Sequence, residues 1–564
     1  MKSSTSSMLA KVALLFASTM RVTMAQTYLQ EPCTAYRNHM KLSNGEDTYC
    51  CMCELQGTDL GSDAYKMMEM DNIPTSWCDD SINSGITEIQ PNQLLVDPST
   101  GKLELDSASL AGTLSTTEKT RRLSDRRRRL PALSGNVDVL IIRAQGNGGQ
   151  TTTADSATLS DKILGTTSDT VNFKSQYEAC SYDELTFDAL TGTGIGTGTS
   201  AGVVEIVSTL DFSLVDAISF ASDIRNEAIT TLGSIPVGTQ IIMCVPNGVP
   251  IGGSTQWIFS AAANDDLSVI NDAYCTFPAA AMVSYGVNVE LKVSITPTLP
   301  VTDAGDGSGL MGYDFSNTAD DFPQMCFNAP KTYQFGWFSS NHLDLDIDAT
   351  GYIYALVDVF AFVNKNDAGP TDTLIVRIID NSNKDYYIHF NKADSFNIDT
   401  QLGANRVLIA EKDSSEGAGP GISILQASLD SGESFSIADV GGLELEISVL
   451  SLATNSAEVL IQSLVPSTAP SEMPSSTPSL SSEPSDAPSP TPSLSNEPSS
   501  SPSETPSLSA SPSDRPSITP SISQVPSATP SETPSLSIEP SNIPSNTPSV
   551  SQVPSSSPSD VPSL

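Results

Sequence analysis

From Pro466 to Leu564 the chain is a run of proline–serine pairs, among them Pro474-Ser475, Pro478-Ser479, Pro484-Ser485 and Pro488-Ser489, with threonine, glutamate and aspartate between them. Apolar side chains are too sparse there to bury a core, and proline denies the backbone its amide donors. The stretch is predicted to be a disordered, extended, semi-rigid stalk of polyproline-like character. Whatever folds in this chain must therefore do so before residue 466.

What precedes the stalk is too long for one core, so two or three folded units are expected. The net charge of −39 argues against nucleic acid or an anionic membrane as partner. At the amino terminus, Lys2 and Lys11 precede a short apolar run, Val12 to Ala17, and Thr23-Met24-Ala25 has the small-residue form of a signal-peptidase site. Residues 1–25 are thus expected to be an export signal, with Gln26 as the new terminus. No later run approaches the roughly 20 apolar residues of a membrane span. Nine cysteines in an exported chain imply disulfides.

Five of the nine, Cys33, Cys50, Cys51, Cys53 and Cys78, lie in a cysteine-rich segment over 26–129. That segment ends in Arg121-Arg122-Leu123-Ser124-Asp125-Arg126-Arg127-Arg128-Arg129. Six arginines in nine residues of an acidic protein form an exposed, self-repelling stretch. It is expected to be a processing site cut after Arg129, the alternative being a basic patch paired with acidic surface. The cysteine-rich part would then be a pro-segment.

Val137-Asp138-Val139-Leu140-Ile141-Ile142-Arg143 opens the next unit as a buried strand. Phe173 to Cys180 has helical spacing, Val203 to Val207 reads as a strand, Leu214 to Leu232 as a one-faced helix, and Gln240 to Val245 as a further strand. Strand and helix in alternation give an α/β or α+β arrangement with a mixed sheet. Cys180, Cys244, Cys275 and Cys326 fit two disulfides here, with three pairings open.

Within this unit, Tyr274 to Phe327 contains A-A-A-M-V-S-Y-G-V-N-V-E-L-K-V-S (Ala279 to Ser294), then S-G-L-M-G-Y-D-F (Ser308 to Phe315) and Q-M-C-F-N-A-P (Gln324 to Pro330). Together with V-L-I-I-R-A, S-Q-Y-E-A-C-S-Y and I-I-M-C-V-P earlier, this block resembles secreted metallopeptidases of the gametolysin type, which belong to the metzincins. The resemblance covers roughly 137–338. It implies an α+β, metzincin-like mixed-sheet domain over 130–340, a zinc-binding helix with H-E-x-x-H-x-x-G-x-x-H, and a methionine turn at Met311. On that frame the three histidine positions are Val283, Val287 and Val293, the glutamate position is Ser284 and the glycine position is Glu290. Valine has no lone pair to offer a metal, and a serine hydroxyl cannot serve as the general base. Neither catalytic nor metal-binding residues are expected, and no cofactor. Taken without the family, Val283, Tyr285, Val287, Val289, Leu291 and Val293 alternate with small or polar residues, which is strand periodicity. Helix and strand both stand as readings of the block. Trp257-Ile258-Phe259 and Tyr313 would line a retained groove or pack the core.

Over 341–465 the pattern changes to short apolar runs separated by Gly, Asn and Asp: Tyr352 to Val357, Thr373 to Ile378, Tyr386 to Phe390, Ile422 to Leu425, Leu443 to Val449 and Glu458 to Ile461. This spacing predicts an all-β sandwich module. Asp344-Leu345-Asp346-Ile347-Asp348 lacks a calcium loop's glycine and has Ala355 where the bidentate glutamate belongs, so an edge strand with acids facing water is expected. The three histidines, His39, His342 and His389, have no metal-site spacing, and His389 is expected to be packed.

Three functions follow as expectations. The chain is a secreted gametolysin-type homologue, inactive, that binds extracellular or cell-wall glycoprotein. Or it is an active zinc endopeptidase degrading wall glycoproteins, whose motif was lost to a gene-model error. Or it is a structural wall protein, since the stalk resembles the proline–serine extensions of algal wall proteins.

Overall fold

The computed structural model describes residues 27–464 apart from 72, 74–77, 79–81, 98–101, 106–115, 119–132, 214–216, 252–253, 293, 297–304, 348–350, 370, 381–383 and 414–420. The export signal, Arg129, Val293, Asp348 and the proline–serine tract lie outside the described residues. The architecture mixes α and β, with strands predominating in several sheets.

Three strands of the cysteine-rich segment, β1 (Cys33–Leu42), β2 (Asp47–Glu54) and β3 (Met67–Asp71), form an antiparallel run in register Arg37↔Cys51 and Cys53↔Met68. The central unit is built on β4 (Gly135–Gln145), the V-D-V-L-I-I-R strand. Its first half pairs in parallel with β5 (Leu185–Ala189) and its second half with β6 (Val203–Val207). Its other side takes β7 (Gln240–Val245), again in parallel. Beyond β7 the sheet runs to β9 (Leu267–Asn271), parallel, and then to β8 (Trp257–Ala262), antiparallel to β9. The outer side of β8 pairs with β1, so strands from both sides of residue 129 share one sheet.

The strand period of two explains how this sheet is covered. Val137, Val139 and Ile141 of β4 face one core, shared with helices α1 (Ser156–Leu164), α2 (Phe173–Ser181) and, further on, α4 (Pro278–Asn288). Leu140, Ile142 and Ala144 face the other, shared with α3 (Ala217–Leu232). A sheet buried on both faces reads as a continuous apolar run, as β4 and β7 do. Helix ends are capped by side chains: Asp155 accepts from Thr158 N, and Asn172 with Ser175 forms a reciprocal capping box. Α short helix, α5 (Ala329–Phe335), closes this part of the chain.

After residue 341 the strands are β10 (His342–Asp346), β11 (Tyr354–Phe360), β12 (Ile375–Asp380), β13 (Lys384–Asn391), β14 (Arg406–Asp413), β15 (Ser423–Leu429), β16 (Ser434–Val440), β17 (Leu443–Leu452) and β18 (Ser456–Leu464). One sheet has the order β15-β14-β13-β12-β10, extended past β15 by the short strand Ser294–Ile295; the other has the order β11-β18-β17-β16. Val359, Ile378, Ile388, Ile409, Ile447 and Ile461 from both sheets share one core. All six apolar runs singled out from sequence fall on these strands. β10 lies at the end of its sheet, with Asp344 exposed.

His389 of β13 is 1 % exposed and its ring stacks on Phe362 at 5.2 Å. Burial pushes its imidazole down to about 3 from the ordinary 6.5. The folded form therefore favours the neutral ring, and the associated stability is present above pH 6.5 and lost as the pH falls from there toward 3. Urea denaturation at pH 7, 5.5 and 4.5 should show the native protein losing about 1.4 kcal/mol per pH unit more than a His389→Phe variant below pH 6.

Candidate functional site

The block that resembles a metallopeptidase site folds as helix α4, not as a strand. The alternation of Val283, Tyr285 and Val287 was misleading because all eleven residues from Pro278 to Asn288 are buried. A helix enclosed on every side has no polar face, so its sequence carries no 3.6-residue period. Local chemistry nevertheless favours helix: Pro278 sits in the first turn, where its missing N–H costs nothing, and Ala279-Ala280-Ala281 has the highest helix propensity.

Asn288, at the end of α4 and fully buried, fixes the helix to the sheet. Its Nδ2 donates to the carbonyls of Ala262 (2.9 Å) and Leu267 (3.2 Å). Its Oδ1 accepts from Gln240 Nε2 (3.0 Å) and Ser268 Oγ (2.7 Å). One amide thereby joins α4 to the starts of β7 and β9 and the end of β8. On the helix's other flank, Tyr177 Oη of α2 donates to Met282 O at 2.8 Å, and Tyr285 packs edge-on against Phe173, Tyr177 and Phe187.

Met311 lies in a single 3₁₀ turn, Leu310–Gly312, directly against α4. A Cβ built on Gly286 would stand 2.7 Å from Met311 Sδ, so the flexible thioether of Met311 packs directly over the bare backbone of Gly286. After Asn288 the chain turns away through Glu290, whose φ of 64° lies in the left-handed region that favours glycine. Glu290 Oε1 accepts from Asn264 Nδ2.

Two disulfides brace this arrangement. Cys244–Cys275 ties the end of β7 to the turn before α4, and Cys180–Cys326 ties α2 to the segment after Met311. In the cysteine-rich segment the bridges are Cys33–Cys53 and Cys51–Cys78, and Cys50 accepts from Asn38 Nδ2 at 3.5 Å.

Val283 and Val287 are each 4 % exposed, within the hydrocarbon core that also holds Leu310 and Met311. Ser284 is fully buried and donates its hydroxyl to Ala281 O at 3.0 Å. These residues do not fit a zinc ion: two offer only methyl groups, and the third has its proton engaged on the helix backbone. Among the described residues no group of three or more His, Cys, Asp or Glu side chains could hold a metal. Trp257, Phe259 and Tyr313 are 0–1 % exposed and pack the core. Phe277, Tyr313 and Phe315 stack together beside Phe259, with ring centroids 5.0–6.3 Å apart. Histidines are dispersed: His39 lies 2.5 Å from Asp47 Oδ1, His342 stacks on Tyr333, and His389 on Phe362.

Sequence reasoning passed over Gln240 and Ser268, which complete the Asn288 network. Their signal was a polar residue at the start of an otherwise apolar, buried strand, a combination that requires a hydrogen-bond partner.

Comparison with family models, curated proteins and solved structures returns no match to this chain.

Two substitutions test the geometry. Gly286→Ala should change stability by no more than about 1.5 kcal/mol, because the Met311 thioether can shift while alanine favours the helix, and it should be more favourable in the Met311→Ala background, a coupling measured by a denaturation cycle. Asn288→Ala should cost more, roughly 3–5 kcal/mol, since it strands several buried polar groups at once.

Proposed function

We propose that this chain is a secreted homologue of gametolysin-type metallopeptidases that has lost its zinc motif, does not hydrolyse peptides, and binds extracellular or cell-wall glycoprotein. The observation that carries this reading is the contact of Met311 with Gly286 of α4. This reading is supported by the packing of Met311 against Gly286, and by the burial of Val283 and Val287, two of the positions where the resemblance implies imidazoles, in hydrocarbon. Four disulfides fit an oxidising, extracellular setting. Among the described residues no helix is long and apolar enough to cross a membrane.

Hydrolysis by this family's chemistry needs a metal-bound water and a carboxylate to take its proton. The α4 face supplies neither group. What the fold retains is shape: a rigid, bridged body preceding a tract whose composition resembles that of wall proteins. The partner class follows from that resemblance and from the export reading.

Metal analysis of the purified full chain, alongside a gelatin-cleavage assay with and without chelator, tests the catalytic half. We expect no stoichiometric zinc and no chelator-sensitive cleavage; one tightly held zinc with proteolysis abolished on stripping would overturn the reading. Retention on immobilised wall glycoprotein, compared with the deglycosylated and bovine-albumin-coated supports, tests the binding half.

A further inference from the structure

We propose that residues 27–118 are a constitutive subunit of the fold, so that opening the backbone in the arginine-rich stretch 121–129 yields a two-chain protein whose parts stay together without any covalent link. This inference rests on the interface alone and is independent of the function proposed above.

The covalent pattern comes first. Cys33–Cys53 and Cys51–Cys78 lie wholly within the amino-terminal segment, and Cys180–Cys326 and Cys244–Cys275 wholly beyond it. No observed bridge crosses the stretch. The opening step is hydrolysis of one peptide bond by an arginine-directed endopeptidase. One water is consumed, leaving a carboxylate on Arg129 and an amine on Leu130.

The interface left behind has the character of a protein interior. β1 pairs antiparallel with β8 in the register Asn38↔Ala262, His39↔Ala261, Met40↔Ser260 and Lys41↔Phe259, so the sheet's backbone hydrogen bonds continue across it. Tyr36, Met52, Tyr65 and Met67 belong to the same core as Ile142, Met243 and Trp257. Buried polar groups are matched across the boundary. Asn38 Nδ2 donates to Ser260 Oγ at 2.9 Å; Ser84 Oγ donates to Ala263 O at 2.6 Å; Asn264 Nδ2 donates back to Ser84 O at 2.9 Å.

A second patch lies on α3. Tyr65 N donates to Asn226 Oδ1 (3.0 Å), Asn226 Nδ2 donates to Tyr65 O (2.5 Å), and Met67 N donates to Ser222 Oγ (3.0 Å). The Arg225 guanidinium lies 4.1 Å over the Tyr65 ring while its Nη1 contacts Asp266 Oδ1 at 2.7 Å. Tyr65 Oη donates to Asp265 Oδ2 at 3.1 Å.

Departure of the segment would leave β8 an open sheet edge, uncover Trp257 and Phe259, and unpair these buried groups together. Each is costly on its own, and an exposed edge of this kind invites aggregation. A cover built to leave would end in a polar, wet contact; this one ends in a shared core.

The test uses the purified full chain, with a variant carrying a site-specific protease sequence in place of 124–129 to guarantee a clean cut. After cleavage, a denaturing gel without reductant should show two bands. Gel filtration under native conditions should show both fragments co-eluting at the volume of the uncut protein. An amino-terminal fragment that elutes alone from a soluble remainder would overturn the proposal, as would a single unreduced band. After cutting, Tyr65→Ala should speed exchange of the amino-terminal fragment by about tenfold, whereas Lys174→Ala, on α2 away from this interface, should not. Were Tyr65→Ala too unstable to purify, co-elution of the cut parent would still decide the matter.

Discussion

One side-chain amide organises the centre of this molecule. Asn288 uses both of its hydrogens and accepts two bonds at its oxygen, all inside the core, and its partners lie on three different strands. Such a network tolerates few alternatives, because any shift of α4 along the sheet leaves several polar groups unsatisfied where water cannot reach them. With the end of the helix fixed, Gly286 is fixed too, and the Met311 thioether packs over it. Both disulfides of the central unit attach at the borders of this assembly, before α4 and after the Met311 turn.

That rigidity is completed by how the space between α4 and the Met311 turn is filled. Val283, Val287, Leu310 and Met311 occupy it, a set that packs without directional bonds. The aromatic group of Phe259, Phe277, Tyr313 and Phe315 consolidates the neighbouring space in the same way.

Much of this was legible before any coordinates. The V-D-V-L-I-I-R and Q-I-I-M-C-V strands, the Phe173 helix and the alternating runs after residue 341 all announce themselves by period and composition. Strands β14 and β16 were passed over: R-V-L-I-A-E-K-D closes on charged residues and S-F-S-I-A-D-V has an aspartate near its end, which reads as loop. Residues 278–288 left helix and strand open, because a helix with no wet side offers nothing for periodicity to detect. The pairing of β1 with β8 could not be read at all. Strand registers between distant segments depend on which edge is left open once everything else has folded, and no local pattern records that.

The same pairing sets an order of events at the ribosome. Asn38 and Ser260 meet across 222 residues of chain, yet the hairpin carrying Asn38 is complete, and can oxidise its own cysteines, long before Ser260 exists. The first-made strand must wait with one side bare while the rest of the sheet is synthesised, and such long-range β contacts form slowly. Until β8 is made, the edge of β1 that pairs with it has no partner there, so the chain carries an open β edge through much of its synthesis.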